Sequence, residues 1–487
     1  MLRNSRNDGE ITKTIHKNIE KNYQQLMETF ENCFDIVKRR LTNIEGRKVI
    51  VTFSDGLVTK DSIAENVIRP FLGFSFDKEG FSPRNLEDLK EKLLTAVDIK
   101  PEADFQKAVT KCLSGDTVVF VDGYDQALII QTRGWPNRGI PKPYTQQAVR
   151  GPKEGFTETL LFNVALLRRK IRSPKLKTEI LQKGNLTQTD ICMVYLEGAV
   201  QEELVEKVRK RLQDIDVEYI LESGHIEQLI EDNPRTVFST IGNNEKPDIV
   251  AAKLIKGRVA VIVDGTPFVL TIPMLFTETF QVVEDYYTRP YYANFLRILR
   301  VIAYILTIML PGIYVALVTY HQEMIPDQLL ETLIRASEGV PMQPAVEMFI
   351  MLLLYELLRE SLLRLPASLG STVGIVGVLI IGEAAVGANL IGAPSVVIAA
   401  MTFITSAVVN SAIDSIAILR ILLLVLAAAF GVYGILIGLF MILAHLCTLR
   451  SFGYPYMLPL APIRWKGLKD SVIRTSSKQI LKRKGLL

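Results

Sequence analysis

Residues 416–446 read IAILRILLLVLAAAFGVYGILIGLFMILAHL, and Arg420 is the one Asp, Glu, Lys or Arg among them. A membrane core of about 30 Å needs roughly 20 apolar residues of helix, so this run is long enough to cross it. The chain is strongly apolar from Phe295 onward, whereas the residues before about Tyr287 carry the mixed charges of a water-soluble protein. This change predicts a water-soluble region followed by a helical membrane domain over residues 291–446.

Four further apolar stretches precede that run. We interpret three of them, 298–320, 346–365 and 394–409, as membrane spans. The fourth, 367–392, is crowded with glycine, and irregular backbone at membrane depth must pack against protein or line water. We therefore expect it to enter the membrane and return, which gives about four spans plus a re-entrant segment. Five full spans are the alternative.

Loop charges predict the orientation of these spans. The loop after 298–320 is mostly acidic, while the tail over 447–487 carries nine basic residues and one acidic residue. Basic flanks stay on the cytoplasmic side. The first ten residues, MLRNSRNDGE, contain no apolar signal-peptide core. We expect the water-soluble region and the basic tail to lie in the cytoplasm, with reduced thiols.

Charged residues inside the second predicted span are the first candidate site. They are Glu356, Arg359, Glu360 and Arg364. Each charge at the bilayer centre costs roughly 2.5–3.5 kcal/mol, so such side chains face the bundle interior or water. Spacings of three and four residues allow pairing along a helix. Two interpretations stay open: a paired polar patch near the cytoplasmic end, or a water-lined path for an ion or substrate.

Glu383 is the second candidate. It lies in the apolar sequence VLIIGEAAV and has no basic residue nearby in the sequence. In a re-entrant segment its carboxylate would face a pore and favour cations. The alternatives are an ion pair with Arg420 or Arg300 from another helix, or a neutral buried acid.

The water-soluble region contains an apparent internal repeat. Residues 115–123 read GDTVVFVDG and residues 257–265 read GRVAVIVDG, each followed by a second β-rich run. These patterns predict two hairpins with Asp-Gly turns. We infer two related α/β subdomains, 47–132 and 158–290, joined by a linker over 133–157 that is rich in proline and glycine. The alternative is that two β-rich segments look alike by composition.

The first 46 residues are predicted to form a separate helical segment. Apolar residues recur at roughly helical spacing from Ile15 to Leu41. Packing against a protein core explains this amphipathic helix better than membrane binding.

Motifs that carry enzymatic chemistry are absent from the sequence. It contains no GxSxG, GxxxxGK[ST] or HExxH, and no GxGxxG that opens a helix after a strand. The four cysteines and four histidines are scattered without metal-ligand spacing. We therefore expect no catalytic residues, no metal site and no cofactor, and we expect neither an enzyme nor a nucleic-acid-binding protein.

Short motifs along most of the chain resemble the A subunit of the GerA-type spore germination receptors. They are VRGPK at 149–153, NVALLRR at 163–169, SPKL at 173–176, PFVL at 267–270, YVALVTYHQ at 314–322, ELLR at 356–359, RLP at 364–366, IGEAAV at 381–386 and SFGYPY at 451–456. They follow the order expected for that family. The first 45 residues and the far tail match only loosely.

The resemblance implies a nutrient-sensing complex in the spore inner membrane, with a transporter-like B subunit and a lipoprotein C subunit as partners. Copies of the A subunit are expected to assemble into a ligand-gated channel for monovalent cations, while the B subunit binds most of the nutrient. Gly434 and Gly438 form a GxxxG pair, which predicts close helix contact within or between chains.

Three rival functions remain open from the sequence. The first is a secondary transporter, but the predicted spans are few and show no inverted repeat. The second is a membrane-anchored enzyme, against which the absence of motifs argues. The third is a scaffold for the germination machinery whose membrane helices anchor the α/β subdomains.

Overall fold

The structure is a computed structural model that describes residues 14–44, 46–73, 98–134, 143, 150–364, 382–409, 412–465, 467, 471 and 474. The chain divides into two compact units. The first comprises residues 1–231, 241–273 and 482–487, and the second comprises residues 232–240 and 274–481.

Two five-stranded antiparallel sheets form the first unit. The first sheet contains β1 (Ile36–Thr42), β2 (Lys48–Ser54), β3 (Ile99–Glu102), β4 (Thr117–Val121) and β5 (Ala127–Ile130). The second sheet contains β6 (Leu176–Lys183), β7 (Thr189–Leu196), β8 (Gly242–Asn244), β9 (Val259–Val263) and β10 (Val269–Ile272). Their orders, β1-β2-β4-β5-β3 and β6-β7-β9-β10-β8, are the same topology used twice. The two motifs at 115–123 and 257–265 therefore lie at equivalent places in two α/β halves, as the sequence predicts.

Helices cover these sheets in equivalent positions. They are α1 (Ile19–Thr29), α2 (Lys60–Ile63), a π-helix (Ala64–Ile68), α3 (Arg69–Gly73), α4 (Phe105–Cys112), α5 (Leu160–Lys170), α6 (Glu202–Gln213), α7 (Ser223–Ile230) and α8 (Pro247–Ile255). In the first half, Phe30 beside α1 and Phe105 of α4 share a core with Phe120 of β4. In the second half, α5 and α8 pack in the same way, through a core that includes Val164 and Val250.

The N-terminal helix is shorter than the predicted segment from Ile15 to Leu41. Helix α1 ends at Thr29, and Asn32 adopts a left-handed φ of 55° that interrupts a helix. Residues 36–42 instead form β1, which pairs with β2 along its whole length. Leu41 therefore packs on the first sheet rather than on a helix face. The pairing satisfies the backbone of this segment in a way that local helical spacing does not reveal.

Each Asp-Gly turn also caps a helix of its own half. The Oδ1 atom of Asp122 accepts a hydrogen bond from the amide of Ile19 at 3.2 Å, where α1 begins. The Oδ1 atom of Asp264 accepts one from the amide of Leu160 at 2.8 Å, where α5 begins. A carboxylate at this position satisfies an amide that has no partner within its helix. The repeated turn therefore joins hairpin and helix in both halves.

A buried ion pair joins the two halves of the first unit. Asp35, just before β1, accepts hydrogen bonds from Arg168 Nε at 2.9 Å and Arg168 Nη2 at 2.8 Å. Thr178 of β6 donates a third, at 2.7 Å. Both charged side chains are buried. Burial by itself opposes ionisation of Asp35, but Arg168 and Thr178 outweigh it and hold the pKa of Asp35 below its ordinary value.

The second unit is helical. Its elements are α9 (Glu284–Tyr287), α10 (Pro290–Tyr320), α11 (Asp327–Ala336), α12 (Pro344–Arg364), α13 (Ala393–Val408), α14 (Ile413–Thr448) and a short hairpin of β11 (Arg450–Ser451) and β12 (Tyr454–Pro455). Among the described residues two helices, α10 and α14, are long and apolar enough to cross a membrane. The predicted bundle of about four spans is therefore not confirmed. The predicted re-entrant stretch lies mostly outside the described residues, because 365–381 are not among them.

Gly431 folds α14 back on itself. Its φ of 61° and ψ of −141° are not helical. In a straight helix, Leu426 and Gly438 would be about 18 Å apart. Here a Cβ placed on Gly438 would lie 2.9 Å from the Cδ1 atom of Leu426. The run 416–446, interpreted above as one span, is therefore a helical hairpin whose GxxxG pair makes its close contact within the chain.

Candidate functional site

Glu356 of α12 binds two arginine side chains at once. It pairs with Arg359, one turn further along the same helix, at 2.9 Å. It also accepts a hydrogen bond from Arg420 of α14. The first contact is the pairing that the three-residue spacing predicts, whereas the second links two helices that lie far apart in the sequence.

Tyr355 of α12 contacts Arg420 and also connects it to a third helix, α13. Its side chain is 1% exposed, and its guanidinium lies 5.2 Å from the ring centroid of Tyr355. The hydroxyl of Tyr355 shares a hydrogen bond of 2.7 Å with Ser406 of α13. We call Tyr355, Glu356, Arg359, Ser406 and Arg420 the arginine cluster. It joins α12, α13 and α14.

The arginine cluster carries more positive than negative charge. Arg359 and Arg420 face the single carboxylate of Glu356. The Nε and Nη1 atoms of Arg420 and the Nε atom of Arg359 are buried and have no hydrogen-bond partner among the described residues. A buried network with unmatched donors is costly, and its excess positive charge repels cations.

Glu360 and Arg364 form the other pair that the sequence predicts. The Nε atom of Arg364 donates to Glu360 Oε1 at 3.0 Å, across four residues of α12. Both side chains are more than half exposed. An exposed pair of this kind contributes little to stability. The four charges of the second predicted span therefore separate into a partly buried pair within the arginine cluster and an exposed pair.

Glu383 stands apart from all of these groups. It is exposed, and no ion pair or hydrogen bond joins its side chain to another described residue. The two arginines considered as partners bind other carboxylates: Arg420 binds Glu356, and Arg300 binds Asp285 at 3.0 Å. Within the described part of the chain, Glu383 is therefore an unpaired acid in an apolar stretch of sequence.

Glu347, which sequence reasoning missed, is a buried acid at the start of α12. The residue is only 3% exposed. Its Oε2 atom accepts hydrogen bonds from the Gly392 amide at 2.9 Å and from Ser395 Oγ at 2.8 Å. Tyr314 of α10 shares a further bond of 3.2 Å with Ser395. Glu347 therefore caps the start of α13 from a neighbouring helix. Pro394 indicates where that helix begins, but nothing in the local sequence indicates which acid meets its first amides.

The cysteines of the first unit are not activated nucleophiles. Burial raises the pKa of Cys112 to about 12 and also raises the pKa of Cys33 and Cys192. A thiol with a raised pKa stays protonated at neutral pH and reacts slowly. Among the described residues there is also no group of three or more His, Cys, Asp or Glu side chains that could hold a metal ion.

Comparison with known proteins identifies the family. The family model described as Bacillus/Clostridium GerA spore germination protein matches residues 24–486. The chain is 41% identical to spore germination protein KA of Bacillus subtilis (strain 168) over 464 residues, which cover 94% of this chain and 85% of that protein. It is 36% identical to the uncharacterized membrane protein YfkQ of the same organism, over 95% of this chain and 90% of that protein.

A solved structure is also similar. It is the N-terminal domain of the A subunit of the Bacillus megaterium spore germinant receptor GerK3, which is 31% identical in sequence. The match covers 54% of this chain and 97% of that domain, with a TM-score of 0.43. The match of the family model over nearly the whole chain, together with the 41% identity to protein KA, decides the assignment. This chain belongs to the GerA family of spore germination proteins.

Proposed function

We propose that the chain is the A subunit of a nutrient-sensing spore germination receptor. The observation that carries this proposal is its similarity, over 94% of its length, to a protein named for spore germination. By the same family resemblance, its partners are a transporter-like B subunit and a lipoprotein C subunit. The complex lies in the spore inner membrane, with the α/β unit and the basic tail on the side of the spore core.

Nutrient-triggered germination tests the receptor role directly. Spores in which this chain is the one remaining A subunit are expected to germinate with the nutrients that its complex senses, measured as loss of optical density. Deletion of the chain should abolish that response. If spores without any A subunit still germinated at the parental rate with the same nutrients, the receptor role would be wrong.

The proposal extends to the ion path. Copies of the chain assemble around a ligand-gated path for monovalent cations, and Glu383 faces that path. An unpaired carboxylate in apolar surroundings is costly unless it meets water or a cation. Glu383 is exposed and has no partner among the described residues, which supports its place in a water-filled path. The arginine cluster is less suited to this role, since its excess positive charge repels cations.

Ion release from spores tests the role of Glu383. The Glu383→Gln variant removes one negative charge with little change in volume. We expect nutrient-triggered potassium release to slow by about tenfold, because a charged path raises the local concentration of its ion. The matched control is Glu360→Gln, which removes an exposed acid that already has an arginine partner.

Protein levels decide how the result is interpreted. Both variants and the partner subunits must reach wild-type amounts in the spore membrane. Slow release in Glu383→Gln with normal release in Glu360→Gln would support the path. Normal release in both variants would exclude Glu383 from it and would favour a scaffolding role for this part of the chain.

A further inference from the structure

A cavity in the second unit lies between the start of α14, the middle of α10 and the loops beside them. Its lining includes Phe238, Phe276, Tyr304, Tyr456 and Asp414. The cavity volume is about 80 Å³, and one side is open. A single water molecule needs roughly 10–15 Å³ by the same kind of measure, so the space accepts several waters or one compact chemical group.

Four aromatic rings form a continuous part of this lining. The ring centroid of Phe276 lies 6.1 Å from that of Tyr304 and 6.0 Å from that of Tyr456. Phe238 extends the series, at 6.4 Å from Tyr456. The planes of these pairs are tilted or perpendicular, so the rings are not stacked face to face on one another. Aromatic faces carry partial negative charge and attract cations.

Two polar groups of the cavity, on Asp414 and Tyr304, have no hydrogen-bond or ion-pair partner among the described residues. Asp414 is exposed in the first turn of α14, and no ion pair or hydrogen bond joins its carboxylate to another described residue. The hydroxyl of Tyr304 has no hydrogen-bond partner there either, although that residue is 8% exposed. None of the lining residues is basic.

We propose that this cavity binds an organic ammonium group. The carboxylate of Asp414 neutralises the positive charge, and the rings of Phe276, Tyr304 and Tyr456 contact its alkyl substituents. Hard metal ions favour several carboxylate or carbonyl oxygen ligands, whereas the side chains of the cavity offer one carboxylate, a few hydroxyl groups and aromatic faces. An ammonium group uses both features at once. The open side leaves room for the rest of the molecule that carries the group.

Choline and its uncharged carbon isostere 3,3-dimethylbutan-1-ol separate charge from shape. Both are titrated calorimetrically into the full-length protein in nanodiscs of phosphatidylglycerol, a lipid without an amine. We expect choline to bind at least about fivefold more tightly than the isostere, because only choline gains an ion pair and cation–π contacts.

Two variants test the lining residues. Asp414→Asn should weaken choline binding by about fivefold or more. Phe276→Leu keeps an apolar side chain but removes an aromatic face, and should weaken binding by about two- to fivefold. Asp327→Asn is the matched control, since Asp327 is also an exposed acid in the first turn of a helix but does not line the cavity. Wild-type elution on gel filtration confirms that each variant is folded.

Nanodiscs that contain phosphatidylethanolamine identify the source of the ammonium group. If choline binds more weakly in these nanodiscs, the lipid headgroup competes and is the ligand. If its affinity is unchanged, the ligand is a free amine. Either result supports the proposal. Equal binding of choline and its isostere, no binding of choline in phosphatidylglycerol, or unchanged binding by Asp414→Asn would overturn it.

Discussion

Glu356 neutralises two arginines, so its removal and the removal of one arginine have unequal consequences. Without Glu356, both Arg359 and Arg420 lose their only carboxylate partner among the described residues. Without Arg420, the pair of Glu356 and Arg359 stays intact and the unmatched donors of Arg420 disappear. Removing one member of a buried ion pair destabilises a protein far more than replacing a costly charge by an apolar group.

The first prediction follows from this asymmetry. Glu356→Gln should lower the free energy of unfolding by about 3 kcal/mol, because it leaves buried positive charge uncompensated. Arg420→Met should change it by less than about 1 kcal/mol, since it also removes unmatched donors. Thermal unfolding of the purified protein in detergent measures both effects. Glu360→Gln is the control for an exposed pair, and an Arg420→Met variant as unstable as Glu356→Gln would contradict the prediction.

Side-chain ion pairs within one helix could be predicted from the sequence, whereas side-chain contacts between helices could not. The spacings from Glu356 to Arg359 and from Glu360 to Arg364 imply ion pairs, and the structure contains both. Arg420 was considered a partner for Glu383, because spacing cannot choose among distant carboxylates. Glu347 was missed because a single acid in an apolar helix has no partner nearby in the sequence. Its hydrogen-bond donors, which include the Gly392 amide, lie at the start of the next helix.

Among the elements, the fold-back of α14 differs most from the sequence expectation. Gly431, Gly434 and Gly438 all lie in the same apolar run. One of them breaks the helix, while the other two allow its halves to approach. A glycine serves either purpose, and the sequence alone does not distinguish them. Gly431 is identified by its positive φ and by a Cβ position 3.1 Å from the side chain of Tyr320.

Membrane labelling tests the fold-back. If residues 413–430 and 432–448 are two crossing segments, Cys447 and Asp414 lie on one side of the membrane and Tyr433 lies on the other. A membrane-impermeant maleimide should therefore label Cys447 and an Asp414→Cys variant from the same side, the latter in a Cys447→Ser background. A Tyr433→Cys variant should be labelled from the opposite side. If positions 414 and 447 were labelled from opposite sides, residues 416–446 would cross the membrane once and the fold-back would be wrong.

Over the whole molecule, the duplicated architecture of the α/β unit was predictable and the junction between its halves was not. The motifs at 115–123 and 257–265 each combine an apolar strand with an Asp-Gly turn, so their similarity indicates the repeat in the sequence itself. The junction depends on Asp35 and Arg168, which are 133 residues apart. No spacing pattern in the sequence links two residues so far apart, and only the packing of the two halves brings them together.

Acidification tests this junction. The pKa of Asp35 is below its ordinary value in the folded chain, so its carboxylate stabilises the fold at any pH above about 4. That contribution is lost as the pH falls through the lowered pKa, because protonated Asp35 no longer pairs with Arg168. Asp35→Asn should cost about 3–5 kcal/mol at neutral pH and should remove this part of the acid sensitivity.

Hydrogen exchange measured by mass spectrometry on the full-length protein provides the readout. Peptides that contain β1 and α5 should exchange faster in Asp35→Asn than in the wild type at neutral pH. The control is Asp98→Asn, because Asp98 forms an exposed pair with Lys100. Equal protection of both peptides in the wild type and in Asp35→Asn would show that the ion pair does not hold the halves together.

The ion pair between Glu356 and Arg420 also has a consequence for the order in which the helices are synthesised and inserted. Translation proceeds from the N-terminus, so Glu356 leaves the ribosome 64 residues ahead of Arg420. An arginine that enters the bilayer alone is unfavourable by several kcal/mol. Here the carboxylate that neutralises it is synthesised first. If both α12 and the helical hairpin enter the membrane, this order favours insertion of α12 first, and placing Arg420 ahead of its acid by circular permutation should impair insertion.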